Sequence, residues 1–512
     1  MECKAMKHME ALFDPRSVAV VGASDRFGTW GYGIIRRLAS SPFRGVWPVN
    51  NREERVMGLQ TYRSILEVPD LVDFAVISVS SAQVPLVMRQ CVQKGVKAAL
   101  VVSGGMSEAG EDGARVEAEA VEIAREGGLR FIGPNSMGHC NTAADFSTLA
   151  WLRAVPAGPI GFVSQSGTYG QRFIRHGMEA GVGFSKFISS GNEADLHLED
   201  YLEYLGRDPD TRLIALYIEG LREGKRFYEL AREITMKKPI VAMKAGRTHG
   251  AAGAARSHTA ALVGDDDVYT AMFKQCGVIR VDEEDEFFDV AFALLHVPVP
   301  RGRRVAILTE GGGIGVVASD ACERVGLELA RLSPRTLSRL DSLLPPRWSH
   351  GNPADMTDAV TSGKLVTFDC LSAVMDDEGV DAAMLIGGLG AAAYFRLLME
   401  VSSEDGNARQ LLEDLDAEES ENVRGLDRRL AQSGKPLVIS RIMPKGPFSP
   451  PVFEELQRKG VPVYPTPERA AKVLKHLAWY GEYLRSTKSM DGGKRTVTRG
   501  ESRASQSSIW SN

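Results

Sequence analysis

Ser17-Val18-Ala19-Val20-Val21-Gly22-Ala23-Ser24 is a short β-branched run that closes on a glycine, and the reading of the fold starts there. The same form recurs in GVWPVN (Gly45–Asn50), DFAVISVS (Asp73–Ser80), KAALVVSGG (Lys97–Gly105) and LRFIGPN (Leu129–Asn135). Amphipathic stretches such as QVPLVMRQCVQKG (Gln83–Gly95) and GARVEAEAVEIAREGG (Gly113–Gly128) stand between the runs. Strands alternating with helices in this way predict an α/β fold: a parallel, helix-covered sheet with its ligand crevice at the carboxyl ends of the strands.

Beyond this region the turn-rich Pro156–Pro159 marks a boundary. GPIGFVSQSG, GFSKFISSGN, RLIALYIEG and PIVAMKAG then build a second α/β unit, which closes near His296 before the Pro- and Arg-rich VPVPRGRR (Val297–Arg304). A third opens with RVAILTEGGGIGVVASDACERVG (Arg304–Gly326) and continues through AAMLIGGLG and PLVISRI. The expected domains are therefore 1–152, 156–297 and 302–486. The highly charged segment Ser402–Gln432 reads as a surface helix or insertion. Residues 487–512, rich in Lys, Arg, Ser, Thr and Gly, read as a disordered tail.

A chain of 512 residues exceeds what one core supports, and 44% hydrophobic with 25% charged residues is an ordinary globular balance. A net charge of -5 gives no reason to expect nucleic acid or an anionic membrane as partner. The six cysteines, Cys3, Cys91, Cys140, Cys276, Cys322 and Cys370, are scattered without metal-ligand spacing. They suit a reducing cytoplasm, and no metal site is expected on this chain. MECKAMKHMEALF lacks a signal core, and no window is apolar for the ~20 residues a membrane span needs, so a soluble, cytoplasmic protein is expected.

Gly22, Ser24, Gly28, Gly31 and Gly33 lie between the first strand and an apolar helix pattern. Glycines let the backbone approach a phosphate, and a helix N-terminus offers unpaired N–H groups. A tight turn without ligand is the alternative. A nicotinamide site usually has an acid after the second strand, yet here that strand ends Val49-Asn50-Asn51-Arg52. A cation at Arg52 suits a ligand with extra phosphate, such as coenzyme A or NADP; a solvated surface charge is the other reading.

KAGRT (Lys244–Thr248) ends a strand and leads into HGAAGAARSHT (His249–Thr259). So many small residues pack poorly as a core helix and suit a mobile loop that carries one reactive side chain. His258 can attack a phosphoryl centre and later release the group near neutral pH, with His249 the competing candidate. Glu219, at the end of Leu213–Gly220, could orient an imidazole by accepting its N–H; a solvated strand-end acid is the alternative. The turns Ser164-Gln165-Ser166-Gly167 and Gly311-Gly312-Gly313 each stand between a strand and a helix. Two helix starts aimed at one point would favour a phosphorylated histidine.

In order along Leu12 to Tyr480, these pieces resemble the α subunit of the NDP-forming acyl-CoA synthetases (ADP-forming acetyl-CoA synthetase type), relatives of succinyl-CoA synthetase. The specific stretches are GPNSMG (Gly133–Gly138), VSQSG (Val163–Gly167), SSGNEAD (Ser189–Asp195), YIEG, KAGRT, SHTAALVG (Ser257–Gly264), TEGGGIG and GNPADMT (Gly351–Thr357). The resemblance implies a Rossmann-like CoA-binding domain followed by two flavodoxin-like ligase domains. It implies His258 as the phosphorylated residue and Glu219 as its orienting partner. Gly22, Ser24, Gly28, Arg52, Val79, Ser80 and Ser81 would contact coenzyme A, and the turns at Ser164–Gly167 and Gly311–Gly313 would hold phosphate.

The implied reaction turns acyl-CoA, phosphate and NDP into carboxylic acid, CoA and NTP through an acyl phosphate and phospho-His258. It also implies an ATP-grasp β subunit in a hetero-oligomer, holding ADP/ATP or GDP/GTP with Mg. Two departures stand out: SHTAALVG where the family usually has SHTGALAG, and GPNSMG for GPNCLG. Ala260 restricts the backbone beside His258. A nicotinamide-dependent dehydrogenase and a catalytically weak CoA-binding regulatory subunit are the competing readings.

Overall fold

The structure is a computed structural model that describes residues 4–41, 45–152, 154–179, 181–248, 265–357, 366–390, 406–442 and 450–501. It divides into two compact units, Met1–Phe287 and Phe288–Asn512.

In the first unit, β1 (Val18–Val21), β2 (Val46–Val49), the hairpin of β3 (Arg55–Val56) and β4 (Leu59–Gln60), β5 (Phe74–Ile77), β6 (Ala98–Val101) and β7 (Arg130–Ile132) follow one another along the chain. The hairpin apart, they form one parallel sheet in the order β2-β1-β5-β6-β7. Helices on its faces stop where glycine stops them. Val84–Lys94 ends at Gly95 and Glu111–Gly127 at Gly128, both in the left-handed backbone that terminates helices.

The second sheet of this unit holds β8 (His139–Asn141), β9 (Phe146–Ser147), β10 (Ala157–Ser164), β11 (Phe184–Ser189), β12 (Leu213–Ile218), β13 (Ile240–Lys244) and β14 (Ile279–Val281). Its order is β14-β13-β12-β10-β11-β8-β9, antiparallel only where β8 meets β11 and β9.

The second unit has one sheet among its described residues. It is built from β15 (Arg304–Thr309), β16 (Glu328–Leu329), β17 (Ala354–Asp355), β18 (Ala382–Ile386), β19 (Leu437–Ser440) and β20 (Val463–Tyr464), in the order β16-β15-β18-β19-β20 with β17 also on β15.

The three sheets share one topology. Leaving aside β8, β9 and β17, the first strand lies between the second and third, and the fourth and fifth follow outward. This is the doubly wound arrangement in which connections diverge at the first strand and open a crevice at its carboxyl end. Each first strand ends level with its neighbours: Val21 opposite Val49 and Ile77, Ser164 opposite Ser189 and Tyr217, Thr309 opposite Asp355 and Ile386. The three glycine turns singled out in the sequence all stand at these points.

Three features of the structure stand beside the expected domains. The first two regions form one compact unit, because an apolar cluster runs from Val18, Phe74 and Ile132 of one sheet to Val163, Leu216 and Ala242 of the other. The division between the two units falls within the helix Glu284–His296, just before the Pro- and Arg-rich Val297–Arg304. The helix Pro467–Glu501 continues past 487, where disorder was expected; adding a turn to a formed helix is far easier than starting one. Residues 502–512 lie outside the described ones. The charged segment folds as the helix Gly406–Ser433, whose Val423 and Leu426 enter the core.

Candidate functional site

The first glycine turn is tight where the chain needs it to be. Gly22 has φ 92, and a Cβ there would overlap the carbonyl oxygen of Ser78 at the end of β5. Gly28 also has positive φ, 87, but faces open space. The helix Trp30–Ala39 starts at Thr29, whose Oγ1 accepts the Tyr32 N–H at 3.2 Å. Ser24 Oγ accepts the Arg26 N–H at 3.0 Å. Asn50 ties this turn to the end of β2: its Nδ2 donates to Ala23 O at 2.8 Å and its Oδ1 accepts the Arg52 N–H at 2.7 Å. Arg52 is exposed beside it.

Val79 is fixed by Ser103, whose Oγ donates to Val79 O at 2.7 Å and accepts its N–H at 3.2 Å. Ser80 Oγ donates to Gln83 Oε1 at 3.1 Å as the turn Ser81–Gln83 begins. Gly22, Ser24, Gly28, Arg52, Val79, Ser80 and Ser81 are thus gathered around the carboxyl ends of β1, β2 and β5. A glycine cradle, a capped helix start and an exposed guanidinium fit a phosphate-bearing ligand such as coenzyme A.

At the end of β10, Gln165 is the hub. Its Nε2 donates to Glu193 Oε2 at 2.9 Å and to Gly220 O at 2.7 Å. Its Oε1 accepts the N–H groups of Glu219 at 2.5 Å and Gly220 at 3.0 Å. A primary amide has two donors and two acceptor sites, so this side chain is saturated. Sequence reasoning expected the turn Ser164–Gly167 to hold phosphate as a helix start; the Gln165 side chain braces the strand end that carries Glu219. Ser164 is fully buried with its Oγ donating to Ser166 O at 2.6 Å, and Ser166 Oγ accepts the Tyr169 N–H at 3.3 Å to open the helix Gly167–Glu179. Gly167 packs so closely on Met137 that a Cβ would overlap its side chain.

Lys244, the last residue of β13, is buried and donates from Nζ to Glu219 O at 2.9 Å and to Ala245 O. The ammonium also lies 4.7 Å from the ring centre of Tyr269. Burial lowers its pKa, and the Asp266 charge opposes that shift. His258, His249 and Ala260 lie outside the described residues. The described chain leads toward them from Ala245, whose N–H donates to Ile218 O at 2.9 Å, one residue before Glu219.

The loop Ser189–Asp195 adds what sequence reasoning missed. Its backbone is bound to the Gly133–Gly138 loop by Asn192 N to Pro134 O at 2.9 Å and Ala194 N to Gly133 O at 3.0 Å. Asn192 Nδ2 reaches Glu108 Oε2 at 2.6 Å and Glu117 Oε2 at 3.0 Å. Glu193 is buried, and burial pushes its pKa up to about 8, with the Glu199 charge adding and Ser190 and Gln165 opposing. SSGNEAD was visible as a motif; the inward turn of its acid was not.

In the second unit, Thr309 Oγ1 donates to Gly311 O at 3.0 Å, and Gly312 begins the helix Gly312–Arg324 beside Asp355. Gly313 faces open space. Two carboxylates hold the strand end after β18: Glu310 Oε2 accepts the Gly388 N–H and Glu419 Oε1 the Gly390 N–H, each at 2.6 Å. Burial raises the Glu310 pKa and pushes Glu419 up to about 7. Glu419 comes from the charged segment that the sequence marked as a surface helix or insertion.

Residues 16–142 match the family described as CoA binding domain, and residues 157–294 that described as succinyl-CoA ligase like flavodoxin domain. Those two domains define an α/β CoA ligase. The chain is 35% identical to acetate–CoA ligase [ADP-forming] II subunit alpha of Pyrococcus furiosus, over 95% of this chain and 99% of that one. It is 39% identical to the I subunit alpha of the same organism, over 92% and 97%. The solved structure of dinucleotide forming acetyl-coenzyme A synthetase 1 from Ca. Korarchaeum cryptofilum, in complex with phosphate and ADP, matches with TM-score 0.79 at 30% identity, covering 94% of this chain and 98% of that one. The chain belongs to the family of ADP-forming acetate–CoA ligase α subunits. Among the described residues no helix is long and apolar enough to cross a membrane.

Proposed function

We propose that this chain is the α subunit of an NDP-forming acyl-CoA synthetase that works by transfer of a phosphoryl group to and from His258. Phosphate displaces CoA from acyl-CoA, giving an acyl phosphate and free CoA. An imidazole nitrogen of His258 takes the phosphoryl group as the bond to the acyl oxygen breaks, and the carboxylic acid leaves. The terminal oxygen of a nucleoside diphosphate then accepts the group, giving the triphosphate and free His258. The reverse direction makes the thioester.

The observation that carries the reading is the setting of Glu219. Its backbone is clamped on one side by Gln165 and on the other by Lys244, and β13 leads from beside it toward His258. A carboxylate fixed at a strand end can hold an imidazole N–H and so fix the tautomer that attacks. The Gly22 turn with Arg52 is assigned to CoA. The turn Gly311–Gly313, exposed at Gly312 and Gly313, is assigned to phosphate.

Nucleotide and Mg are assigned to an ATP-grasp β subunit. The two Pyrococcus furiosus relatives are named as α subunits, whereas this chain aligns with 54% of acetate–CoA ligase [ADP-forming] I of Archaeoglobus fulgidus. The remainder of that longer enzyme is where the partner's counterpart would lie. The free, buried cysteines Cys91, Cys140, Cys276, Cys322 and Cys370 suit a reducing cytoplasm.

Radiolabelled ATP supplied to the complex with its β subunit tests the mechanism. Acid-labile label on His258, lost in His258→Ala, is the expected result. Label that survives this substitution refutes it.

A further inference from the structure

Glu193 belongs to none of the roles above, yet its placement is costly. It is 3% exposed, its backbone has φ 54, and its Oε1 meets no hydrogen-bond partner among the described residues. A non-glycine residue enters the left-handed region only where its surroundings hold it there. Here the anchors are the bonds of Asn192 and Ala194 to Pro134 and Gly133, one on each side, which turn the side chain inward. A buried carboxyl oxygen without a partner is a burden that an apolar residue would not impose.

On the reading that Glu219 orients His258, we propose that Glu193 is a positioning residue for phosphoryl transfer, setting the orientation of the Gln165 amide that clamps the Glu219–Gly220 strand end. The argument is one of donors and acceptors. The Gln165 amide can face two ways. With Oε1 toward Glu219 and Gly220 it accepts two N–H groups; reversed, it would set its own N–H against them. Glu193 Oε2, 2.9 Å from Gln165 Nε2, selects the first arrangement by accepting a hydrogen bond there. The Gly220 carbonyl at 2.7 Å selects it as well. Glu199 and Tyr201, on the helix Leu198–Arg207, face the same carboxyl group, and Ser190 faces it from its own loop. Burial, with the Glu199 charge adding, favours the neutral acid, so a neutral amide of the same shape can replace it.

The test uses the complex with its β subunit and labelled ATP. Glu193→Ala is expected to slow label transfer to His258 by roughly 100-fold, the scale of a misplaced catalytic group. CoA affinity, measured by calorimetry, stays as in the wild type. Glu193→Gln is expected to restore most of the rate, whereas Glu193→Met, similar in size but without an acceptor, is expected to stay slow; a merely space-filling role predicts rescue by both. Labelling of Glu193→Ala at the wild-type rate overturns the proposal, as does equal impairment of the alanine and glutamine variants or rescue by methionine. Should the alanine variant fail to fold, a soluble Glu193→Gln that labels more than about tenfold too slowly overturns it. A wild-type complex without label on His258 sinks the phosphohistidine reading and this proposal together, whereas label on wild type and alanine variant alike sinks this one alone.

Discussion

Oε1 of Gln165 accepts the backbone N–H of Glu219 at 2.5 Å, joining two residues 54 positions apart in the chain. β10 and β12 are neighbours in the sheet, so their carboxyl ends meet, and a long polar side chain from one can close over the other. The candidate orienting acid is therefore held at the strand end through its own peptide group.

Gln165→Ala removes two acceptor and two donor interactions from a buried place. The N–H of Glu219, the Gly220 peptide and Glu193 lose partners, and each unsatisfied group costs about 1–3 kcal/mol. A loss of stability on the order of 3 kcal/mol is expected in urea unfolding, together with a slower phosphoryl transfer in the assembled enzyme.

Gly22→Ala and Gly28→Ala separate close approach from backbone freedom. Both glycines have positive φ, which costs alanine about 1–2 kcal/mol. Only at Gly22 does the added Cβ overlap a carbonyl, that of Ser78. Gly22→Ala should therefore lower the melting temperature further and abolish measurable CoA binding by calorimetry, while Gly28→Ala shows the smaller loss of stability.

Glu193 makes stability depend on pH in a particular direction. Its carboxyl group titrates near 4.5 when unfolded and near 8 in the folded chain. Between those values the unfolded chain releases a proton that the native chain keeps, so stability declines as pH rises from about 4.5 to 8. Glu193→Gln removes this dependence. Relative to that variant, the wild type should lose on the order of a few kcal/mol between pH 5 and 8 in urea titrations. A constant difference across that range would show that the group ionises normally.

Lys186 is 2% exposed in β11, with Nζ 3.0 Å from both carboxylate oxygens of Asp208 and 3.1 Å from Asp210 Oδ2. Removing one partner of a buried pair strands the other, at a typical cost of about 3–5 kcal/mol. Lys186→Met should show that loss in equilibrium unfolding. Lys186→Met combined with Asp208→Leu should recover part of it, since the stranded charge is then gone.

Much of this architecture was legible because its signals are local. A β-branched run closing on glycine marks a buried strand and a turn, and Val18–Gly22, Ile160–Gly167 and Arg304–Gly311 all carry it. Glu219 and Gly22 were recognisable as candidates because a strand's end is visible in the chain itself. Glu193 and Glu419 were not. One lies in a polar loop and the other in a highly charged helix, and nothing in either stretch indicates a buried acid.

The amino-acid order by itself determined the strands, the glycine turns and the family motifs, since each depends on neighbours within a few residues. Tertiary structure alone decided that Gln165 braces Glu219, that Glu193 turns inward, and that the first two sheets share a core. Those outcomes arise from donors, acceptors and apolar faces that meet only after distant segments pack, and packing sets which polar atoms keep water and which must find each other.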